Sequence, residues 1–234
     1  MACGENYFSF RCEKCGNLYR SHLTCKRRTC QKCARVRSFQ MVEMYLPVVS
    51  CFQWACLLTL TLKVVPNGNV QSEVDRIIAS FRKLRRKSVW NAKDGIASIE
   101  IVKKGDISWY VHLHALIDSK WMDQKDLSDI WLGITGDSSI VDIRRVKGER
   151  RQALKEVLKY QTKIWELNEE DKEFVEKTFK HRRFIYTFGI KKPEKPEFKG
   201  MKCKICGGEL KLFEEGIPHG RSFEAEGYSY PNTS

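Results

Sequence analysis

Apolar and polar residues alternate along Leu58-Thr59-Leu60-Thr61-Leu62 and, more strictly, along Val111-His112-Leu113-His114-Ala115. A period of two marks a β-strand whose faces meet different surroundings. The first run, Phe52 to Leu62, reads as a strand followed by the turn Pro66-Asn67-Gly68-Asn69. The period then changes. Ser72 can cap a helix that carries Val74, Ile77, Ile78, Phe81 and Leu84 on one face, and Gly95 closes that region. Ile96–Val102 and Ile107–Ile117 are two strands joined by the short turn Lys103-Lys104-Gly105-Asp106. Asp123 can cap a short helix with Leu127, Ile130 and Trp131 inward. Ser139–Val146 reads as a fourth strand, Arg150 to about Leu167 as a long helix and Phe184–Phe188 as a last strand.

The order βαββαβ, then an extra helix, implies an α+β protein: a ferredoxin-like, antiparallel sheet with its two helices on one face. The third strand orients that sheet. Val111, Leu113, Ala115 and Ile117 share the face that belongs against the helices. His112, His114 and Leu116 point the other way, onto a face expected to lie open.

Composition narrows the partner. The 234 residues can bury one good core with small appendages. The 42 Lys+Arg exceed the 29 Asp+Glu, giving a formal charge of +13, which favours a polyanion, and nucleic acid before membrane. No apolar run reaches the ~20 residues that span a bilayer. The start Met-Ala-Cys-Gly-Glu-Asn has no signal-peptide pattern, so an intracellular, cytoplasmic protein is expected. Three regions follow: a basic, cysteine-rich zinc-binding region (1–45), the α+β domain (46–190), and a linker, knuckle and tail (191–234).

Ten cysteines in such a chain point to zinc and reduced thiols rather than disulfides. Cys12-x2-Cys15 and Cys30-x2-Cys33 have fourteen residues between them, a good spacing for a four-thiolate zinc site, with Cys25 and His22 as alternative ligands. Cys203-x2-Cys206 is a second knuckle without a pair of its own. It can borrow Cys3 or Cys25, use His219, or carry no metal. One zinc ion is therefore expected, and a second is left open. Cys51 and Cys56, in or beside the first strand, read as buried thiols. Arg27 and Arg28 in the first region, and Arg85 and Arg86 in the basic helix Arg76–Lys87, are candidate contacts to a DNA backbone.

His112 and His114 lie close enough on one strand face to share a cation, which could polarise a scissile phosphate. A loop centred near Asp106 would bring Glu100 beside His112 as an oxygen ligand. Such mixed nitrogen and oxygen ligation suits Mg²⁺ or Mn²⁺. About fifty residues on, Tyr160 and Lys163 sit one helical turn apart, a tyrosine with a cation at i+3. A phenol of pKa ~10 needs a nearby metal or cation to attack as phenolate.

These segments, in this order and spacing, resemble the HUH endonucleases, and among them the rolling-circle replication initiators of the plasmid and virus Rep type. The resemblance spans roughly residues 10 to 190. Cys12-Glu-Lys-Cys15-Gly and Cys25-Lys-Arg-Arg-Thr-Cys30-Gln-Lys-Cys33 likewise resemble the zinc region of plasmid Rep proteins and of insertion-sequence transposases. The resemblance implies an HUH fold and a metal site of His112, His114 and Glu100. Tyr160 would be the single nucleophile that becomes 5′-phosphotyrosine, and Lys163 its charge-stabilising helper. Thr59 and Thr61 would serve the DNA-facing sheet. The implied substrate is single-stranded or hairpin origin DNA. A single-tyrosine transposase with the same chemistry is the nearest alternative, and a non-catalytic zinc-bearing DNA-binding protein the alternative of another class. No Gly-x-x-x-x-Gly-Lys-Ser/Thr loop is present, so a host or companion helicase would open the duplex for a DNA polymerase.

Overall fold

A computed structural model describes residues 3–66, 69–106, 108–159, 164, 167–191 and 201–215. The chain forms two compact units, Met1–Cys33 with Glu194–Ser234, and Ala34–Pro193. In chain order the elements begin β1 (Tyr7–Cys12), β2 (Leu18–His22), α1 (Gln31–Ser50), β3 (Ala55–Thr61), β4 (Val65–Pro66), α2 (Val70–Leu84) and β5 (Asp94–Lys104). They continue β6 (Ser108–Asp118), α3 (Gln124–Thr135), β7 (Val141–Arg145), α4 (Arg150–Leu158), α5 (Glu169–Thr178), β8 (Ile185–Phe188) and β9 (Leu210–Glu215).

In the larger unit the strands run in the order β7-β3-β6-β5-β8, every neighbour antiparallel, with β4 added beside β6. β3 and β5, joined through α2, flank β6, and β6 and β7, joined through α3, flank β3. This is the split βαβ arrangement that the element order implies. Val70, Val74, Ile77, Phe81 and Leu84 of α2, with Leu127 and Trp131 of α3, pack on Ile99, Val111, Leu113 and Ala115. Asp123 caps α3 as expected, accepting from the amides of Lys125 at 2.8 Å and Asp126 at 3.1 Å. α2 starts earlier than expected: its N-cap is Asn69, and Ser72 lies inside the helix, donating to the Asn69 carbonyl.

The histidine face is not the open one that β6 alone suggests. α1 and α4 pack on its far half, where Val42, Tyr45, Val49, Leu154, Val157 and Leu158 enclose Ile96 and Leu116. The reason is visible in the strand. Leu116 shares a face with the histidines, and apolar area there must be covered too. His112 and His114, half-buried, stand on the remaining half of that face.

Gly95 is no terminator but the second residue of β5, opposite Phe188 of β8. A Cβ there would run into the Phe188 ring and the Ile117 side chain. The long helix begins at Arg150 but α4 ends at Leu158, and a separate helix, α5, follows from Glu169. The stretch with Tyr160 and Lys163 lies outside the described residues, as do His219, the linker from residue 192 and the tail. No helix among the described residues is long and apolar enough to cross a membrane. Cys56 is buried, whereas Cys51, at the end of α1, is exposed.

In the smaller unit, β2-β1-β9 form an antiparallel sheet. Its apolar side chains Phe8, Phe10, Tyr19 and Leu210 are only half-buried, and the thiols of the same unit gather in two groups.

Candidate active site and thiol clusters

The register of the central strands assembles the site from residues far apart in sequence. Glu100 stands opposite His112 on the β5–β6 ladder, and on the β3–β6 ladder Thr61 stands opposite His112 and Thr59 opposite His114. Residues paired this way share a face. Thr59 Oγ1 lies 3.1 Å from His114 Nδ1, and Thr61 Oγ1 lies 2.9 Å from His112 Nδ1. Any further partner is therefore met through Nε2. In His114 that atom meets Glu100 Oε2 at 2.9 Å, a diagonal contact across the hairpin. Thr59, half-buried, and Thr61, buried, thus both engage the histidines.

Burial tunes the set. Glu100 is buried at 8% exposure. Burial pushes the His112 imidazole below its ordinary value, with Glu100 pulling it up and His114 pushing it down. A neutral imidazole is the form that ligates a cation. Tyr110 stacks on His112 with ring centroids 5.7 Å apart, and Lys104 Nζ reaches the Tyr110 hydroxyl at 2.8 Å.

The donor set, two imidazoles and a carboxylate, fits a divalent cation. It is not drawn tight. The two histidine rings are 5.9 Å apart, close to the roughly 6.6 Å that two residues span along a strand. The groups with all donor atoms within 4.8 Å, among the described residues, are the two thiol clusters. His112, His114 and Glu100 would hold a cation by leaning together, with the threonines fixing which nitrogen of each ring faces it.

The site's sheet face is tied to α4 by a hydrogen bond. Ser98, opposite His114 on β5, donates its hydroxyl to the Val157 carbonyl of α4 at 2.6 Å. Val157 is three residues before Tyr160 in sequence, and Leu158 is buried beside Leu116.

The basic helix lies elsewhere. α2 packs on the sheet face opposite the histidines. Arg86 is exposed, and together with Lys83 and Lys87 it lines a shallow surface depression. Arg85 instead lays its guanidinium over the Phe188 ring, 3.9 Å from the centroid, and its buried Nε has no hydrogen-bond partner among the described residues. Arg27 is exposed, and Arg28 is half-buried.

The cysteines pair differently from the spacing-based expectation. Cys12 and Cys15 do not join Cys30 and Cys33. They meet Cys203 and Cys206, while Cys30 and Cys33 meet Cys3 and Cys25. Local spacing cannot reveal this, because the partners of the first knuckle lie almost two hundred residues on. Each group could hold a metal ion. Their crowding splits proton affinities: the Tyr19 hydroxyl, 3.0 Å from Cys203 Sγ, holds that thiol at about 6. Cys206, against the lowering effect of the Gly208 amide, is pushed up to about 12 by the neighbouring thiols and by burial.

Comparison with known proteins gives the arrangement its class, a replication protein. The model of the Rep_1 family, replication protein, matches residues 17–204, and the chain belongs to that family. Protein rep of Staphylococcus aureus is similar, with 29% identity over 167 residues, 62% of this chain and 72% of that protein. No solved structure matches. The expected kinship with Rep-type replication initiators is borne out. Membership in this family implies action on DNA.

Proposed function

We propose that this replication protein initiates rolling-circle replication by nicking, and later rejoining, single-stranded or hairpin origin DNA on the His112–His114–Glu100 face. The observation that supports this best is the convergence on one sheet face of two imidazoles, a buried carboxylate and two threonine hydroxyls that fix the imidazoles. Such a constellation suits phosphate chemistry better than a plain binding surface, where buried polar side chains would cost stability without return.

Tyr160 attacks the scissile phosphorus with its phenolate oxygen. The new bond is tyrosine oxygen to phosphorus, and the bond that breaks is phosphorus to the 3′-oxygen. The leaving 3′-oxygen takes up a proton from solvent, matching the one the phenol released, so the products are a 5′-phosphotyrosine and a 3′-hydroxyl from which a polymerase can extend. Attack of a 3′-hydroxyl on the phosphotyrosine reverses the exchange and rejoins the strand. Lys163 offsets negative charge on phenolate and phosphate. A bound Mg²⁺ or Mn²⁺ would supply Lewis-acid polarisation of the phosphate. Glu100, His112 and His114 would hold it, and Thr59 and Thr61 position the histidines. In this reading a helicase of the host or a companion protein opens the duplex, and the chain works inside the cell that carries the DNA. The match to replication proteins supports initiation over transposition.

The test uses the full chain with single-stranded origin DNA. Cleavage at one phosphodiester is expected with Mg²⁺ or Mn²⁺, lost on chelation and restored by returned cation. His114→Ala should lower the rate about 100-fold or more while DNA binding changes little. Cleavage that continues unchanged in excess chelator would overturn the role of the cation.

A further inference from the structure

Among the described residues of the smaller unit, the buried ones are Ser9, Cys12, Cys33 and Cys203. Three of the four are cysteines, and among the described residues of this unit no large apolar side chain is buried. Small domains that lack a core fold on metals or disulfides. The eight thiols of this unit are free, and sulfurs 3.4 and 3.5 Å apart are far beyond the ~2.05 Å of a disulfide. Zinc–sulfur bonds of about 2.3 Å in a tetrahedron put sulfurs roughly 3.8 Å apart, near what is observed.

The pairing of knuckles is built. Cys12-Glu-Lys-Cys15-Gly16 and Cys203-Lys-Ile-Cys206-Gly207 share one plan. The Gly16 amide returns to the Cys12 carbonyl at 2.9 Å, and the Gly207 amide to the Cys203 carbonyl at 2.9 Å. The Cys12 amide donates to the Asn17 carbonyl at 2.9 Å, and the Cys203 amide to the Gly208 carbonyl at 2.7 Å. Gly16 and Gly207 both sit in the left-handed region, at φ 72° and 69°. The knuckles face each other with exchanged order: Cys12 Sγ is 3.4 Å from Cys206 Sγ, and Cys15 Sγ 3.5 Å from Cys203 Sγ. A Cβ on Gly208 would press on Cys12 Sγ at 3.0 Å, so glycine keeps that space clear. β9 runs beside β1, which delivers one knuckle to the other.

We propose that Cys12, Cys15, Cys203 and Cys206 hold one structural zinc ion shared by the two ends of the chain, and that Cys3, Cys25, Cys30 and Cys33 hold a second, separate one. The first ion clamps the C-terminal strand β9 onto the N-terminal hairpin and stands in for an apolar core. The two sites share no ligand, so each is lost independently.

Metal analysis of the full chain, purified under reducing conditions, should find two zinc ions per molecule. The decisive variants cross the knuckles. Cys12→Ser with Cys203→Ser strikes one site and should leave one zinc; Cys12→Ser with Cys30→Ser strikes both and should leave none. If instead Cys12, Cys15, Cys30 and Cys33 shared an ion, the second pair would leave a zinc and the first would not, and that result overturns the assignment. A measurement without substitutions guards against misfolded variants. As a chelator withdraws zinc from the wild-type chain, mapped alkylation should show Cys12, Cys15, Cys203 and Cys206 becoming reactive together. Reaction of Cys203 and Cys206 while Cys12 and Cys15 stay protected would also overturn it.

Discussion

Each histidine of the site owes its orientation to a hydroxyl on the neighbouring strand. Thr59 and Thr61 engage His114 and His112 through Nδ1, and the Glu100 carboxylate meets Nε2 of His114. Outer contacts of this kind set ring tautomer and aim, and losing them typically costs 10–100-fold in metal affinity or activity. Thr59→Val with Thr61→Val keeps the strand's shape and removes both hydroxyls. It should lower DNA cleavage by about 10–100-fold and raise the Mg²⁺ or Mn²⁺ concentration needed for half-maximal rate, with DNA affinity nearly unchanged. The Thr→Ser pair should recover most of the rate. Equal cation dependence in wild type and the valine pair would contradict a positioning role. The alternation around Thr59 was legible in sequence as a strand, and the family resemblance implied a DNA-facing role. What the hydroxyls touch was not, because it depends on cross-strand register between residues more than fifty apart.

At the scale of elements, the six from β3 to β7 that make the split βαβ sheet were readable because each buries one face, which writes a period into the sequence. The misses have physical reasons. α1 carries the buried stripe Val42, Tyr45 and Val49, but Pro47 interrupts the helical text. β1, β2 and β9 are six, five and six residues long and their apolar side chains are mostly half-buried or exposed, so each writes too short a pattern to stand out. Gly95 looked like punctuation, yet its role is contact: the Phe188 ring of β8 occupies the place of its side chain. Gly95→Ala should therefore lower the unfolding free energy by about 1–3 kcal/mol, the usual cost of overpacking, as read by denaturant titration. Unchanged stability would mean that β8 does not pack there. The basic end of α2 is split in the same way. Arg85→Ala should remove the guanidinium from Phe188 and reduce stability more than DNA affinity, whereas Arg86→Ala should do neither to the fold.

For the molecule as a whole, a charge of +13 predicts binding that weakens steeply with salt. Each phosphate contact adds ~0.7 to the log–log salt slope on single strands, so Arg27→Ala with Arg28→Ala should lower the slope by roughly 1.4 if both contact phosphate. An unchanged slope would remove that pair from the DNA track. Covalent chemistry at one tyrosine can be read from a single measurement. The full chain is incubated with single-stranded origin DNA and Mg²⁺ or Mn²⁺, denatured, digested and mapped by mass spectrometry. The account predicts an adduct that survives denaturation, with a 5′-phosphonucleotide on the peptide containing Tyr160, and none from Tyr160→Phe, which still binds DNA. An adduct on another residue, or cleavage by Tyr160→Phe at the wild-type rate, would contradict it.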